Sequence, residues 1–251
     1  MLLTGNIARH LHDIASCECK NLIVEDVRFG LSYVGVRLEG QRMGLAALLL
    51  HELPPGCSVI PDAGKLAGTK ASFLLSKLVE GRNPLDKALG LATANAALQP
   101  LACDDERDSL SIMNLTPDDV VAMVGLFSPM VPKIKATGAK LSVIERDSTR
   151  MAVLDKKESE RILKECSVAI ITATTLLNNT IEEVLNSMGS PRHVAVLGPS
   201  TPMCPEIFHN TPVTHLGGAV VRDADNVMQV ISEGGGTRAM RPYLRFVNIL
   251  L

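Results

Sequence analysis

The second half of the chain alternates short apolar segments, rich in branched residues, with helical ones. This alternation limits the fold more than any other feature. Val120 to Val124, Leu141 to Ile144, Val168 to Thr172, Val194 to Leu197 and Val213 to Leu216 recur about every 20 to 27 residues. Helical patterns fill the intervals or follow them, at Pro132 to Ala136, Lys156 to Glu165, Ile181 to Met188 and Asn226 to Ser232. Strands alternating with helices at this spacing predict βαβ units, a parallel sheet and right-handed crossovers.

The first hundred residues have a different rhythm. Ile7, Leu11, Ile14 and Ala15 are helically spaced within Leu2 to Ala15. The runs Leu22 to Val27, Tyr33 to Leu38 and Met43 to Leu50 then predict a hairpin or meander, with Glu39-Gly40-Gln41 as a turn and Pro54-Pro55-Gly56 as its end. Two helices follow. Ala71 to Val79 is closed by Gly81, and a second is capped by Asn83 with Pro84 at its first position. The charged stretch Cys103 to Ser111 is the expected joint between units at 1–102 and 103–251.

Composition excludes several classes. A net charge of -2 argues against a phosphate-backbone binder, and 3% aromatic content with no Trp removes the platforms on which bases stack. The longest apolar run, Leu45 to Leu50, is too short to cross a bilayer. The N-terminus lacks the pattern of a signal peptide, so a cytoplasmic location with free thiols is the expectation. The partners expected are thus a small-molecule or metal ligand and a second copy of the chain, with neither nucleic acid nor membrane. The apolar closing segment Tyr243 to Leu251 fits either a subunit contact or core packing.

In an open parallel sheet, ligands bind beyond the carboxyl ends of the strands. Here those ends carry Gly125-Leu126-Phe127-Ser128-Pro129, Glu145-Arg146-Asp147, Thr172-Ala173-Thr174-Thr175 with Asn178-Asn179-Thr180, and Gly198-Pro199-Ser200-Thr201. Gly217-Gly218 and Glu233-Gly234-Gly235-Gly236 come later. The candidate ligand-binding set is Phe127, Ser128, Glu145, Thr174, Thr175, Asn178, Asn179, Ser200, Thr201, Gly218, Glu233 and Gly234, with Asn83 and Thr93 from the first unit. Hydroxyls and amides would orient a ligand, and Glu145 or Glu233 would take a hydroxyl or a cation. Thr180 and Glu183 also match a capping box, with polar residues around the positive end of the helix they open.

Other chemistries are poorly matched. Only Gly125 of a dinucleotide-type glycine turn is present, although Glu145, 20 residues on, stands where an acid would bind a ribose. Gly64 to Lys70 lacks the order of a phosphate loop, and no nucleophile elbow occurs. Cys17 and Cys19 are two apart without a second pair, Cys204 has no neighbouring ligand, and the histidines follow no zinc spacing.

The chain resembles the heavy-metal chelation family, an uncharacterised prokaryotic group. The resemblance rests on Asn83-Pro84-Leu85-Asp86-Lys87-Ala88-Leu89-Gly90, Val124 to Pro129, Thr174 to Thr180, Gly198 to Pro202 and Ser232 to Gly236. It implies an α/β protein with an N-terminal α+β domain like the enolase N-terminal fold. A C-terminal Rossmann-like parallel sheet with helices on both faces would follow, with a site between the two. It also implies handling of a heavy or transition metal ion, although no thiolate or histidine cage is evident, so oxygen ligands or an organic chelator would hold it. The competing expectation is a transferase-like enzyme with a nucleotide-like or adenosine-bearing cofactor on Glu145.

Overall fold

The computed structural model describes residues 7–53, 59–99 and 103–251. The start of the first expected helix, the Pro54-Pro55-Gly56 turn, Cys57 and the join at residue 102 lie outside the described residues. Helix α1 (Ile7–Cys19) leads into an antiparallel meander of β1 (Val24–Phe29), β2 (Tyr33–Leu38) and β3 (Arg42–Ala47). Helices α2 (Ala71–Glu80) and α3 (Pro84–Ala97) complete this lobe. Asn83 caps α3 by accepting from the Asp86 N–H at 2.9 Å, with Pro84 behind it, as the sequence predicts.

The remaining elements are α4 (Ser109–Met113), β4 (Val120–Val124), α5 (Val131–Ala136), β5 (Lys140–Ile144), α6 (Lys156–Glu165), β6 (Val168–Thr172), α7 (Ile181–Asn186), β7 (His193–Leu197), β8 (His215–Val221), α8 (Ala224–Ser232), α9 (Thr237–Met240) and β9 (Leu244–Leu250). The second sheet runs β5-β4-β6-β7-β8-β9, parallel up to β8, with β9 antiparallel. Numbered from β4, the parallel run is 2-1-3-4-5. That is a doubly wound order distinct from the 3-2-1-4 order of dinucleotide domains. The closing apolar segment is the edge strand β9, with Leu244 and Val247 buried in the core.

Both faces of this sheet are covered. Side chains of Val121, Met123, Val168, Ile170 and Ala195 pack with Met113 of α4 and Ile134 of α5. The alternate residues, Ala122, Ala169, Ile171, Val194 and Val196, join Ile162 and Leu163 of α6, Leu185 of α7 and the α1 residues Ile7 and Leu11 in one core. Alternation along each strand sends successive side chains to opposite helical layers, which explains the unbroken apolar runs.

The meander is also enclosed on two sides. Val34, Val36, Leu38 and Ala46 face α1 to α3, whereas Tyr33, Met43 and Leu45 face Val227, Met228 and Ile231 of α8. Gly35 makes the second contact possible, because a Cβ there would lie 2.9 Å from both Ile231 Cδ1 and Met228 Sδ. The two lobes therefore share cores.

At the amino ends of β7 and β8 lies a buried polar chain that the sequence did not announce. Asn248 donates through Nδ2 to the Asp105 and Arg107 carbonyls, which fixes its Oδ1 as an acceptor for Ser109 Oγ (2.8 Å) and His215 Nε2 (2.9 Å). His215 Nδ1 then accepts from His193 Nε2 at 3.1 Å. Burial holds both imidazoles below their usual range, His193 down to about 4. Neutral rings suit this chain, since a proton on His215 Nδ1 would set two N–H groups against each other. The unfolded chain therefore binds more protons from near pH 6.5 down to about 4, and stability is full above that window and falls within it. We expect His193→Gln to flatten this slope in thermal unfolding across pH 4 to 7. Partial exposure of His193 limits the effect to on the order of 1–2 kcal/mol. An unchanged slope would remove the pair from the acid response.

Candidate functional site

Because β4 to β8 are parallel, the loops that follow them lie along one edge of the sheet, and the meander lobe leans on that edge. In this seam, three groups of contacts lie along the loops after β5, β6 and β7, while Arg28, Tyr33 and Arg37 bond Ser232, Thr237 and Asp225 farther on. Asn178 Nδ2 donates to Glu52 Oε1 at 3.2 Å. His51 stands between Asp147 (3.9 Å from Nδ1) and Glu52 (3.7 Å from Nε2), and Arg146 reaches Glu52 at 3.9 Å. Further along, the Ala47 N–H donates to Ser200 Oγ at 2.8 Å, and Asn95 Nδ2 donates to the carbonyls of Leu45 (2.9 Å) and Ser200 (3.0 Å).

The strand order reverses at β4, the position where doubly wound sheets open a crevice. Here Glu145 fills the available donors. Its Oε2 accepts from the Leu126 N–H at 3.0 Å, and its Oε1 accepts from the N–H groups of Arg146 (2.8 Å) and Asp147 (3.2 Å). Arg150 pairs with Oε2 at 3.0 Å and donates to the Leu126 carbonyl at 2.8 Å. Backbone amides plus a guanidinium are what a ligand oxyanion would seek. The buried Glu145 carboxylate occupies them and ties the loops after β4 and β5 together.

The other expected residues divide by environment. Thr175 is buried and donates to the Thr172 carbonyl at 2.8 Å, while Thr174, half-buried, meets Thr172 Oγ1 at 3.1 Å. Asn179 is exposed with φ 55°, a left-handed turn position that asparagine tolerates. Ser128 is exposed, and Phe127 packs beside the α4–α5 core. Thr93 is fully buried and donates to the Leu89 carbonyl at 2.8 Å, and the Asn83 side chain bonds Asp86, so the hydrogen bonds of both stay within α3 and its cap. Glu233 is exposed at the end of α8, accepting from Gln229, and Gly234 (φ 78°) packs on Leu31. Gly218 lies in β8 against Met203.

The capping box does not form. Thr180 occupies the cap of α7, but its hydroxyl donates to Asn178 Oδ1 at 2.7 Å and Glu183 pairs with Lys156 at 2.7 Å. Thr180 has helical backbone angles (φ -101°, ψ -7°) where a capping side chain needs an extended residue, and Lys156 holds Glu183 by a charge-assisted bond.

A notch of about 20 Å³, lined mostly by apolar residues, lies between β3, α3, the loop after β7 and the end of β8. It gathers Thr201 from the expected set with Asn95, which the sequence reading passed over. Thr201 Oγ1 and Asn95 Oδ1 are both buried without a hydrogen-bond partner in the structure. A buried polar atom left so costs about 1–3 kcal/mol. A lone amide on the 88–97 stretch of α3, where Thr93 is the other polar residue, was the available signal for Asn95.

Soft-metal chemistry finds little support in the buried thiols, Cys17 being the exposed one among the described residues. Cys19 is pushed up to about 11 and Cys204 to about 12, in each case first by burial, and burial also raises Cys103 and Cys166. Such thiols stay protonated at neutral pH until a cation displaces the proton. Among the described residues, no group of three His, Cys, Asp or Glu side chains is arranged to hold a metal ion. No helix among them is long and apolar enough to cross a membrane.

Comparison with known proteins agrees with this architecture. The chain is 26% identical over 222 residues to an uncharacterised protein of Methanocaldococcus jannaschii, covering 82% of this chain and 81% of that one. A crystal structure of a protein of unknown function from Pyrococcus horikoshii superposes with a TM-score of 0.84 at 21% identity, covering 98% of this chain and all of the other. One from Desulfitobacterium hafniense gives 0.77 at 19% identity, covering 97% and 99%. Both of these are DUF364 family proteins, and at such identities the likeness concerns the fold. Two family profiles, each described as "Putative heavy-metal chelation", match residues 12–98 (DUF4213) and 108–250 (DUF364). With more than half its length matched by the second, the chain belongs to the DUF364 family.

Proposed function

We propose that the protein binds a small anionic ligand that carries its own metal ion, at the mouth of the seam where the loops after β5 and β6 face His51 and Glu52. The observation that supports this reading best is the cross-lobe bond from Asn178 to Glu52, set among Arg146, Asp147 and His51 beside the strand-order reversal. These side chains come from three segments remote in sequence, and Arg146 is 61% exposed, so its guanidinium is open to a carboxylate-bearing partner. The family description speaks of heavy-metal chelation. The described residues offer no converging donor set, so the chelating atoms are assigned to the ligand and the protein recognises the complex by charge and hydrogen bonds. An adenosine-bearing cofactor fits less well, because the carboxylate that would meet a ribose is already satisfied by three backbone N–H groups and Arg150.

Thermal-shift and native mass measurements with Ni²⁺ or Cu²⁺, each free and as its citrate complex, test this. The citrate complexes should stabilise the protein and the free ions should not. Arg146→Ala with Asn178→Ala should weaken the response at least about tenfold, or 1.4 kcal/mol, without unfolding the chain. Equal binding of free ions, or a response the double variant leaves untouched, would end the proposal.

A further inference from the structure

We infer, resting on the seam mouth as the binding site, that His51 enters the coordination shell of the metal ion the ligand carries, with Glu52 beside it. The charges at the mouth call for this. Arg146 stands there against two carboxylates, Glu52 and Asp147, while Lys156 and Glu183 nearby satisfy each other at 2.7 Å. One guanidinium suits the carboxylate end of a ligand, but the two acids need a positive centre facing them. In a metal-bearing ligand that centre is the ion. His51 lies between the acids with 39% of its side chain exposed. Its Nδ1 is 3.9 Å from Asp147 Oδ2 and its Nε2 is 3.7 Å from Glu52 Oε1. Both distances exceed a hydrogen bond, so no described residue engages either ring nitrogen.

The spacing suits two donors on one ion. Metal–nitrogen and metal–oxygen lengths of about 2.0–2.2 Å, set at a tetrahedral angle, put two ligand atoms about 3.4 Å apart. His51 Nε2 and Glu52 Oε1 are close to that at 3.7 Å. Asn178 Nδ2 holds Glu52 Oε1 through one lone pair and leaves the second. A ligating histidine ordinarily gives its other ring N–H to a carboxylate. Asp147 Oδ2 stands on the Nδ1 side, with Oδ1 held by the Thr149 N–H (2.9 Å) and hydroxyl (2.6 Å). An approach of about 1 Å would close that bond. Two donors are too few to retain a free ion, in keeping with the lack of a three-residue set among the described residues. They are enough to fill positions that a chelator leaves open, and an imidazole nitrogen suits Cu²⁺ or Ni²⁺. The ligand is thereby oriented, metal toward His51 and carboxylate toward Arg146.

The test uses Cu²⁺–citrate with the full-length protein at pH 7. Citrate contains no nitrogen, so an imidazole signal in the pulsed electron paramagnetic resonance of the bound copper comes from the protein. The parent should show one coordinated imidazole. His51→Gln should remove it and weaken binding at least about tenfold, the loss that even an outer partner of a metal ligand brings. Because the His51 ring makes no hydrogen bond to a described residue, the unliganded variant should unfold at the parent's midpoint. His10→Gln, at an exposed position of α1, should change neither signal nor affinity. Cu²⁺–EDTA, whose chelator leaves no position open, should bind at least about tenfold more weakly than the citrate complex. Binding of Cu²⁺–citrate without an imidazole signal, with a signal that His51→Gln leaves in place, or no tighter than Cu²⁺–EDTA would overturn the inference while the seam-mouth reading stands. Failure of Cu²⁺–citrate to bind at all would end both.

Discussion

Valine in place of Gly44 is expected to lower stability by about 3 kcal/mol or more and to depress the unfolding midpoint by roughly 10 °C. Gly44 sits in β3 directly under α3, and a Cβ there would lie 2.2 Å from the Ala92 carbonyl oxygen and 2.3 Å from the Ala96 nitrogen. Both are backbone atoms inside a helix, so no rotamer change relieves the clash and α3 itself must lift. Small residues at Ala92, Thr93 and Ala96 are what let the helix come this close. The consequence reaches the site, because α3 carries Asn95, whose amide bonds the Leu45 and Ser200 carbonyls. Urea and thermal unfolding of Gly44→Val, beside Leu31→Ala at a position 68% exposed as a control, measure the effect. A midpoint within 2 °C of the parent would show that α3 is not seated on β3 as described.

How much of this could be read from the residues depends on the range of the forces involved. Strands β4 to β7 and the helices between them were legible, because burial on both faces leaves continuous apolar runs such as Val168 to Ile171. The Asn83-Pro84 start of α3 was legible because a cap is a local bond. Strand order was not, since the direction of each crossover is decided by packing across the sheet. Helix α4 hid in the charged stretch, although Asp108 caps it by accepting from the Leu110 N–H. Strand β9 could be read only as an apolar segment for a subunit contact or for the core, because its role is set by pairing with β8. At the site, the sequence located Glu145, Asn178 and Thr201 at strand ends but could not say which would be satisfied internally. Glu145 is held by loops on either side of it, Asn178 crosses to Glu52, 126 residues away, and Thr201 is left unpaired. The bonds to Leu126 and Glu52 are tertiary contacts with no local signature, and only the Glu145 bonds to the Arg146 and Asp147 N–H groups are local.

Alanine in place of Asp119 should cost about 3 kcal/mol at pH 7, the second large effect, and should do so at the edge of the sheet opposite the site. The Asp119 side chain, 6% exposed, accepts from Arg192 Nε (2.9 Å) and Nη2 (2.7 Å), from Ser167 Oγ (2.7 Å) and from the Thr116 N–H (2.8 Å). Ser167 immediately precedes β6, Arg192 precedes β7 and Asp119 precedes β4, so one carboxylate registers the starts of three parallel strands. Arg192 also donates to the carbonyls of Met113 and Asn114, which anchors the end of α4 to the same point. The guanidinium beside it holds the Asp119 carboxyl well below the usual carboxylate range. In the native state it therefore binds fewer protons than in the unfolded chain, whose value is 3.8. Its contribution is complete above about pH 4 and is lost as pH falls below that. The parent and Asp119→Ala should accordingly differ most at neutral pH and converge in acid, measured by urea unfolding between pH 2.5 and 7. The ligand response at Arg146 should survive the substitution, since that residue lies just past the carboxyl end of β5. A stability difference that stays constant down to pH 2.5 would show that the charge of Asp119, as opposed to its shape, does not hold the strand starts together.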